Sequence, residues 1–215
     1  MTEINMISEI IAECEAQIGQ TLSSYQREKI SGYYDLLLAG NRTIGGLISK
    51  QRERDVLHYG ILEAYGLVQS IKHYPGRMID IGSGSGLPGM LAGIFLPDNP
   101  MVLNDIITRR CDFMAGVINE LNLKNLSVVN CKAEKLQKLS KSNYHGYDVV
   151  FTSGVGHYDL LLKHYYRLVK SDGLIVLLTG AQATSDLTFP GSRTIINPGL
   201  PHRNLILIPG TPPVE

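Results

Sequence analysis

The chain has no tryptophan and only four phenylalanines, so eleven tyrosines carry most of its aromatic surface. Cysteine is scarce too: Cys14, Cys111 and Cys131 stand far apart, an odd set with no pair at metal-ligand spacing. This argues against a disulfide framework or a thiolate metal site; reduced thiols in a cytoplasmic protein, with no metal, are expected. No apolar run reaches 18 residues, and the opening Met1-Thr-Glu-Ile-Asn lacks a basic segment followed by an apolar core. Neither a membrane span nor a secretory leader is expected. An excess of either charge is also missing, since twenty basic residues meet twenty acidic ones. Attraction of the whole surface to nucleic acid or membrane is thereby excluded; a local basic patch is not.

What remains is globular composition, 44% hydrophobic and 19% charged over 215 residues, enough for one domain or a domain with a small appendage. Charge is unevenly shared. Residues 1–70 hold six Lys/Arg against nine Asp/Glu, net −3, which leaves +3 for the remainder. Ile7, Ile10, Ile11, Cys14 and Ile18 recur at helical spacing. A second helix is expected from the capping residues Ser23-Ser24, carrying Ile30, Tyr33, Tyr34, Leu37 and Leu38, and a third over 49–72. Residues 1–74 thus read as a helical cap, most simply one with no chemistry of its own.

From Pro75-Gly76 the pattern alternates, and 75–215 read as a second domain. Short apolar runs at 78–81, 102–103, 126–129, 148–151 and 174–178 are separated by helical stretches at 87–96, 109–121 and 158–170. Strand–helix alternation predicts an α/β fold with a doubly wound, mainly parallel sheet. Runs at 193–196 and 205–208 flank Asn197-Pro-Gly-Leu-Pro, as in a terminal hairpin adding antiparallel strands at one edge.

The most informative stretch is Asp80-Ile-Gly82-Ser83-Gly84-Ser-Gly86-Leu87-Pro88-Gly89, between a buried strand and a helix. Glycines there permit a sharp turn and close approach of a ligand to backbone. Gly84-x-Gly86-x-x-Gly89, with Asp105 about 20 residues on, literally matches a dinucleotide fingerprint. Asp80 argues for another ligand. A carboxylate ending the strand is ill-placed beside a pyrophosphate but well placed beside an ammonium and a sulfonium, both carried by S-adenosylmethionine. Asp105 would then take the ribose hydroxyls.

These residues resemble the glucose-inhibited division protein B family, bacterial small-subunit rRNA methyltransferases acting on ring nitrogen seven of a guanine. The likeness lies in the IDIGSGSGLPG run at 79–89, in Asp105-Ile-Ile-Thr-Arg109-Arg110-Cys-Asp-Phe-Met, in Glu120-Leu-Asn-Leu-Lys-Asn-Leu and in Ala133-Glu134, with weaker similarity on both sides. The resemblance implies a class I methyltransferase fold with an N-terminal helical extension and S-adenosylmethionine as cofactor. It would set Gly82, Gly84 and Gly86 along the methionine portion, Asp105 and Ile106 beside ribose and adenine, and Ala133-Glu134 at the adenine edge. Ser83 and Leu87 in the loop and Ser153 after the fourth strand complete the expected cofactor set.

The substrate half departs from the family. Thr-Ser-Arg-Ala becomes Thr152-Ser153-Gly154-Val155, and the lysine–glycine pair ending the fifth strand becomes Thr179-Gly180. Trp-Asn and Asn-Leu-Thr appear as Gly40-Asn41 and Gly46-Leu47-Ile48, and His-x-x-Asp-Ser is not kept around 58–64. Two lost cations, zero net charge and an acidic N-terminal part favour a small nitrogen-containing metabolite as methyl acceptor. The rRNA activity is the alternative, which Lys124, Lys132, Lys135, Lys138 and Lys141 could serve by tracking phosphates, though a solvated surface is the simpler reading of that run. A non-methylating use of the cofactor and a silent binding module are further alternatives. His157 is the candidate for any proton removal, its type titrating near neutrality. Tyr33, Tyr34, His58, Tyr59 and Tyr158 are candidates to enclose a flat substrate, although tyrosines at helical spacing are ordinarily core. No feature of the sequence fixes an oligomeric state.

Overall fold

The computed structural model describes residues 3–139, 146–154, 158–180, 189–197 and 200–211. Three helices come first: α1 (Glu3–Ile18), α2 (Ser24–Thr43) and α3 (Glu53–Ile71). Ser23 caps α2 with a full capping box. Its Oγ accepts from Gln26 N at 3.2 Å, and its own N–H donates to Gln26 Oε1 at 2.9 Å. The apolar positions anticipated from periodicity are buried, Ile30, Tyr33, Tyr34, Leu37 and Leu38 on α2 among them. Asn41 is fully buried, and its Oδ1 accepts from Leu47 N and Ile48 N, so this residue builds the turn between α2 and α3.

Strands then alternate with helices: β1 (Met78–Ile81), α4 (Gly89–Phe95), β2 (Met101–Asp105), α5 (Thr108–Glu120), β3 (Leu126–Asn130), α6 (Ala133–Leu139), β4 (Tyr147–Ser153), α7 (Tyr158–Tyr165) and β5 (Val169–Gly180). Two strands follow, β6 (Arg193–Asn197) and β7 (Leu200–Pro209). The sheet order is β3-β2-β1-β4-β5-β7-β6, parallel through β5, with β7 antiparallel to both its neighbours. The α/β, doubly wound expectation is met. The hairpin is also present, but its second strand is the inner one, and β6 forms the edge. The seventh helix is shorter than its periodicity implied. It stops at Tyr165 because Leu168 and Val169 are buried and Val169 already pairs with Tyr147, ahead of an irregularity in the β4–β5 register. The seven-residue α6 is too brief for a helical period to announce it.

One apolar cluster joins α1–α5 to a face of the sheet, from Ile7 and Leu37 through Leu62 and Met90 to Leu103 and Leu205. A second, under α6 and α7, gathers Ile79, Val150, Ile175, Ile206 and Tyr165. The N-terminal helices therefore share a core with the sheet, and the boundary expected near residue 74 separates kinds of element without separating hydrophobic cores. Among the described residues no helix is long and apolar enough to cross a membrane.

Candidate active site

The strand order reverses between β1 and β4, and in open parallel sheets ligands lie outside the carboxyl ends of the strands at such a switch point. Buried polar side chains fix those ends. Thr152 Oγ1 donates to Ile81 O at 2.7 Å, and Gly82 N and Ser83 N both donate to Asn104 O. Asn104 Nδ2 donates to Val129 O and Cys131 O, each at 2.9 Å, and Asn130 Nδ2 donates to Asp105 O. With these backbone groups satisfied inside the protein, the strand tips hold one shape.

A cleft of about 450 Å³ opens over them, lined by Ile81, Gly82, Asn104, Asp105, Ile106, Ile107, Arg110, Cys131, Lys132, Ala133, Glu134, Ser153, Gly154 and Leu161. Of the residues anticipated for a cofactor, Gly82, Asp105, Ile106, Ala133, Glu134 and Ser153 converge here. Ile106 is an exposed large apolar side chain, 58% accessible, ready to cover a flat ring. Asp105 is nearly buried; Oδ2 accepts from Gly84 N at 2.9 Å and Oδ1 from Ile107 N at 2.8 Å. A carboxylate so held is oriented, and its remaining lone pairs suit a pair of hydroxyls.

The rest of the glycine loop is placed differently. Ser83 is buried, donating to Asp80 O and accepting from Asn104 N, which makes it a brace. Leu87 lines another cleft, described below. Asp80 lies beneath the loop, inaccessible, with Oδ2 accepting from Gly89 N at 3.1 Å. Its Oδ1 is buried and has no partner among the described residues. Burial pushes this carboxyl up to about 8, opposed by the nearby Ser83 hydroxyl and the Gly89 N–H, with the Glu63 and Asp105 carboxylates adding to the rise. A buried carboxylate oxygen lacking a donor, under a loop whose Gly84 has open space where a Cβ would stand, fits a ligand that brings an ammonium.

Tyr33 and Tyr34 do not face an acceptor. Both are fully buried, Tyr33 donating to Ser85 O in the glycine loop at 3.1 Å and Tyr34 to Leu57 O at 2.6 Å. Burial also drives both hydroxyls well above their usual range. His58 is half-buried on α3. His157 lies outside the described residues, and Tyr158 opens α7. Tyr59 sits at a second cleft of about 330 Å³, lined by Arg52, Asp55, Val56, Tyr59, Gly60, Glu63, Leu87, Leu200, His202 and Arg203.

The two clefts meet at Ser153. Its Oγ donates to Glu63 Oε2 at 3.1 Å and accepts from Arg203 Nη2 at 3.1 Å, while Arg203 also bonds Glu63 Oε1 through Nε at 2.7 Å and through Nη2. Glu63 comes from α3, Ser153 from β4 and Arg203 from β7. The sequence reading missed both charged members. For Glu63 the available signal was an acid kept within a motif otherwise lost. For Arg203 there was none, because its place depends on β7 pairing with β5, where it stands opposite Gly180.

Comparison with known proteins fits this geometry. Residues 26–196 match the family model "GidB: rRNA small subunit methyltransferase G". A ribosomal RNA small subunit methyltransferase G from Mesoplasma florum is 28% identical over 80% of this chain and 71% of its own length. One from Sorangium cellulosum is 31% identical over 82% and 73%. The fold is also that of TrmN from Thermus thermophilus, at TM-score 0.52 and 18% identity, covering 82% of this chain and 52% of that one. The match runs through α2, the glycine loop, β4 and into β6, so it takes in the first cleft and the α3 and Leu87 side of the second, while the β7 wall with Leu200, His202 and Arg203 lies beyond it. The chain belongs to the GidB, or rRNA small subunit methyltransferase G, family and is a methyltransferase whose cofactor is S-adenosylmethionine.

Proposed function

We propose that the chain methylates small-subunit rRNA on a guanine ring nitrogen, N7, with S-adenosylmethionine held in the first cleft. The observation that carries this is the extent of the family match, 26–196, which covers α3 and the ends of β4 and β5 as well as the glycine loop. In this reading Ile106 covers the adenine, Asp105 takes the ribose hydroxyls, Ala133-Glu134 meet the adenine edge, and the methionine end runs along Gly82 and Gly84 toward Asp80.

The expectation of a small metabolite rested on zero net charge, an acidic N-terminal part and two cations lost relative to the family, and the comparisons do not support it. Arg203 does bring a guanidinium to Ser153 from β7, where it is paired with the Glu63 carboxylate. Methyl transfer is an in-line displacement at carbon, to which positioning contributes on the order of 7–11 kcal/mol in favourable cases. An unprotonated ring nitrogen has no proton to lose, which leaves His157 no step as a base. Positive charge passes from sulfur to the base, and the Glu63 carboxylate, bonded to Ser153, stands at the edge of the first cleft to meet it.

The test is a labelled-methyl assay run in parallel on unmethylated small ribosomal subunits and on a small-molecule fraction. Label in rRNA at a guanine is expected. Label confined to the metabolite fraction would overturn the reading.

A further inference from the structure

We propose that the second cleft is the pocket for the acceptor base: a guanine turned out of the rRNA, stacked on Tyr59 at the mouth and brought against the cofactor cleft at Ser153. This deepens the rRNA reading and rests on it. Three observations carry it. The first is adjacency. Ser153 lines the first cleft, and its hydroxyl is bonded to Glu63 and Arg203, which line the second. Those three side chains form the boundary between the clefts, and because in-line transfer admits no atom between nucleophile and methyl carbon, a base in the second cleft must reach the methyl by taking the place of one of their mutual hydrogen bonds.

The second is the aromatic mouth. Tyr59 is 37% exposed, and its ring meets His202 edge to face, centroids 5.5 Å apart and planes at 76°. His58 meets the same tyrosine at 5.7 Å and 65°, so Tyr59 is the centre of a three-ring cluster and still keeps over a third of its surface open to solvent. Bases to be modified are taken out of their stack, and stacking on aromatic side chains is how proteins hold them. The third is the chemistry of the walls. Leu87 supplies an apolar side, while the far end presents Glu63, whose side chain is only 12% exposed. A base that becomes cationic on methylation meets there a carboxylate fixed in orientation by Ser153 and Arg203, its charge shared with the guanidinium.

The experiment uses the full chain with unmethylated small subunits and compares wild type, Tyr59→Ala, Tyr59→Phe and His202→Ala. Readouts are kcat/KM on rRNA and the Kd for S-adenosylhomocysteine. Tyr59→Ala is expected to lower kcat/KM by about 5- to 150-fold, the worth of one stacked base. Tyr59→Phe, which keeps the ring, should stay near wild type, and His202→Ala should fall between. Cofactor affinity should hold in all three, which also reports folding. Undiminished kcat/KM in Tyr59→Ala overturns the pocket while leaving the rRNA reading intact, and so does a loss matched by an equal loss of cofactor affinity. If wild type labels no rRNA, the substrate reading fails and the guanine occupant fails with it.

Discussion

At the third position of β1, Asp80 is shut off from solvent with one oxygen bonded to the start of α4 and the other unbonded. Its pKa, raised from 3.8 to about 8, means that the folded protein holds a proton there that the unfolded chain releases. Between those two values the unfolded chain binds fewer protons, so this residue's contribution to stability declines as pH rises. The urea midpoint of the cofactor-free protein is expected to fall from pH 5 to pH 8, and Asp80→Asn to flatten that fall. A ligand ammonium would reverse the preference. Binding of S-adenosylhomocysteine at pH 7 should release protons in wild type and not in Asp80→Asn, read by calorimetry in buffers of different ionisation enthalpy. Gly89, beside Asp80, is fixed by sterics. A Cβ there would strike the Asp80 carboxylate and lie 2.6 Å from Leu103 Cδ2, so Gly89→Ala should cost about 1–3 kcal/mol of stability by chemical denaturation.

Helix α2 shows how a local pattern becomes part of a site. Its Tyr33 reaches the glycine loop through a hydrogen bond to Ser85 O, fully buried at both ends of the contact. Tyr33→Phe leaves that carbonyl without its donor, at a cost of about 1–3 kcal/mol. Thermal unfolding should show the loss, and cofactor affinity should drop with it because the loop loses its brace. The elements themselves were largely legible. The capping residues of α2, its buried stripe, the first five strands and the glycine turn all follow from short-range spacing, where a 3.6- or 2-residue period or a capping side chain leaves a direct mark. The role of the tyrosines was not legible, because the same spacing serves a core residue and a substrate wall. Only packing decides between them, and for Tyr33 and Tyr34 it decides for the core.

At the scale of the whole molecule, zero net charge leaves any RNA attraction to local groups. Arg52 is one, exposed at the rim of the second cleft and paired across the surface with Asp55. Affinity for small-subunit rRNA is expected to fall linearly on a log–log plot with salt, by about 0.7 per phosphate contact on a single strand, and Arg52→Ala to make the slope shallower by about one contact. Arg203 should behave differently. Arg203→Lys keeps the charge but cannot bond Glu63 and Ser153 through a planar fork, so turnover should fall with little change in salt slope. The cofactor cleft was readable because its residues cluster in sequence around 80–87, 105–106 and 133–134. The second cleft was not, since Glu63, Leu87 and Arg203 meet only once α3 and β7 have closed on the sheet.

That closure has an order built into it. Strand β6 precedes β7 in the chain but lies outside it in the sheet, so β6 has no strand to pair with until β7 has been made. A chain leaving the ribosome can complete the parallel β1–β5 layer first, and must then hold β6 waiting for a later segment. Arg203 arrives on that same segment. Cofactor binding and methyl transfer are thus expected to mature at different times during synthesis, with the acceptor wall put in place by the strand that also seals the sheet.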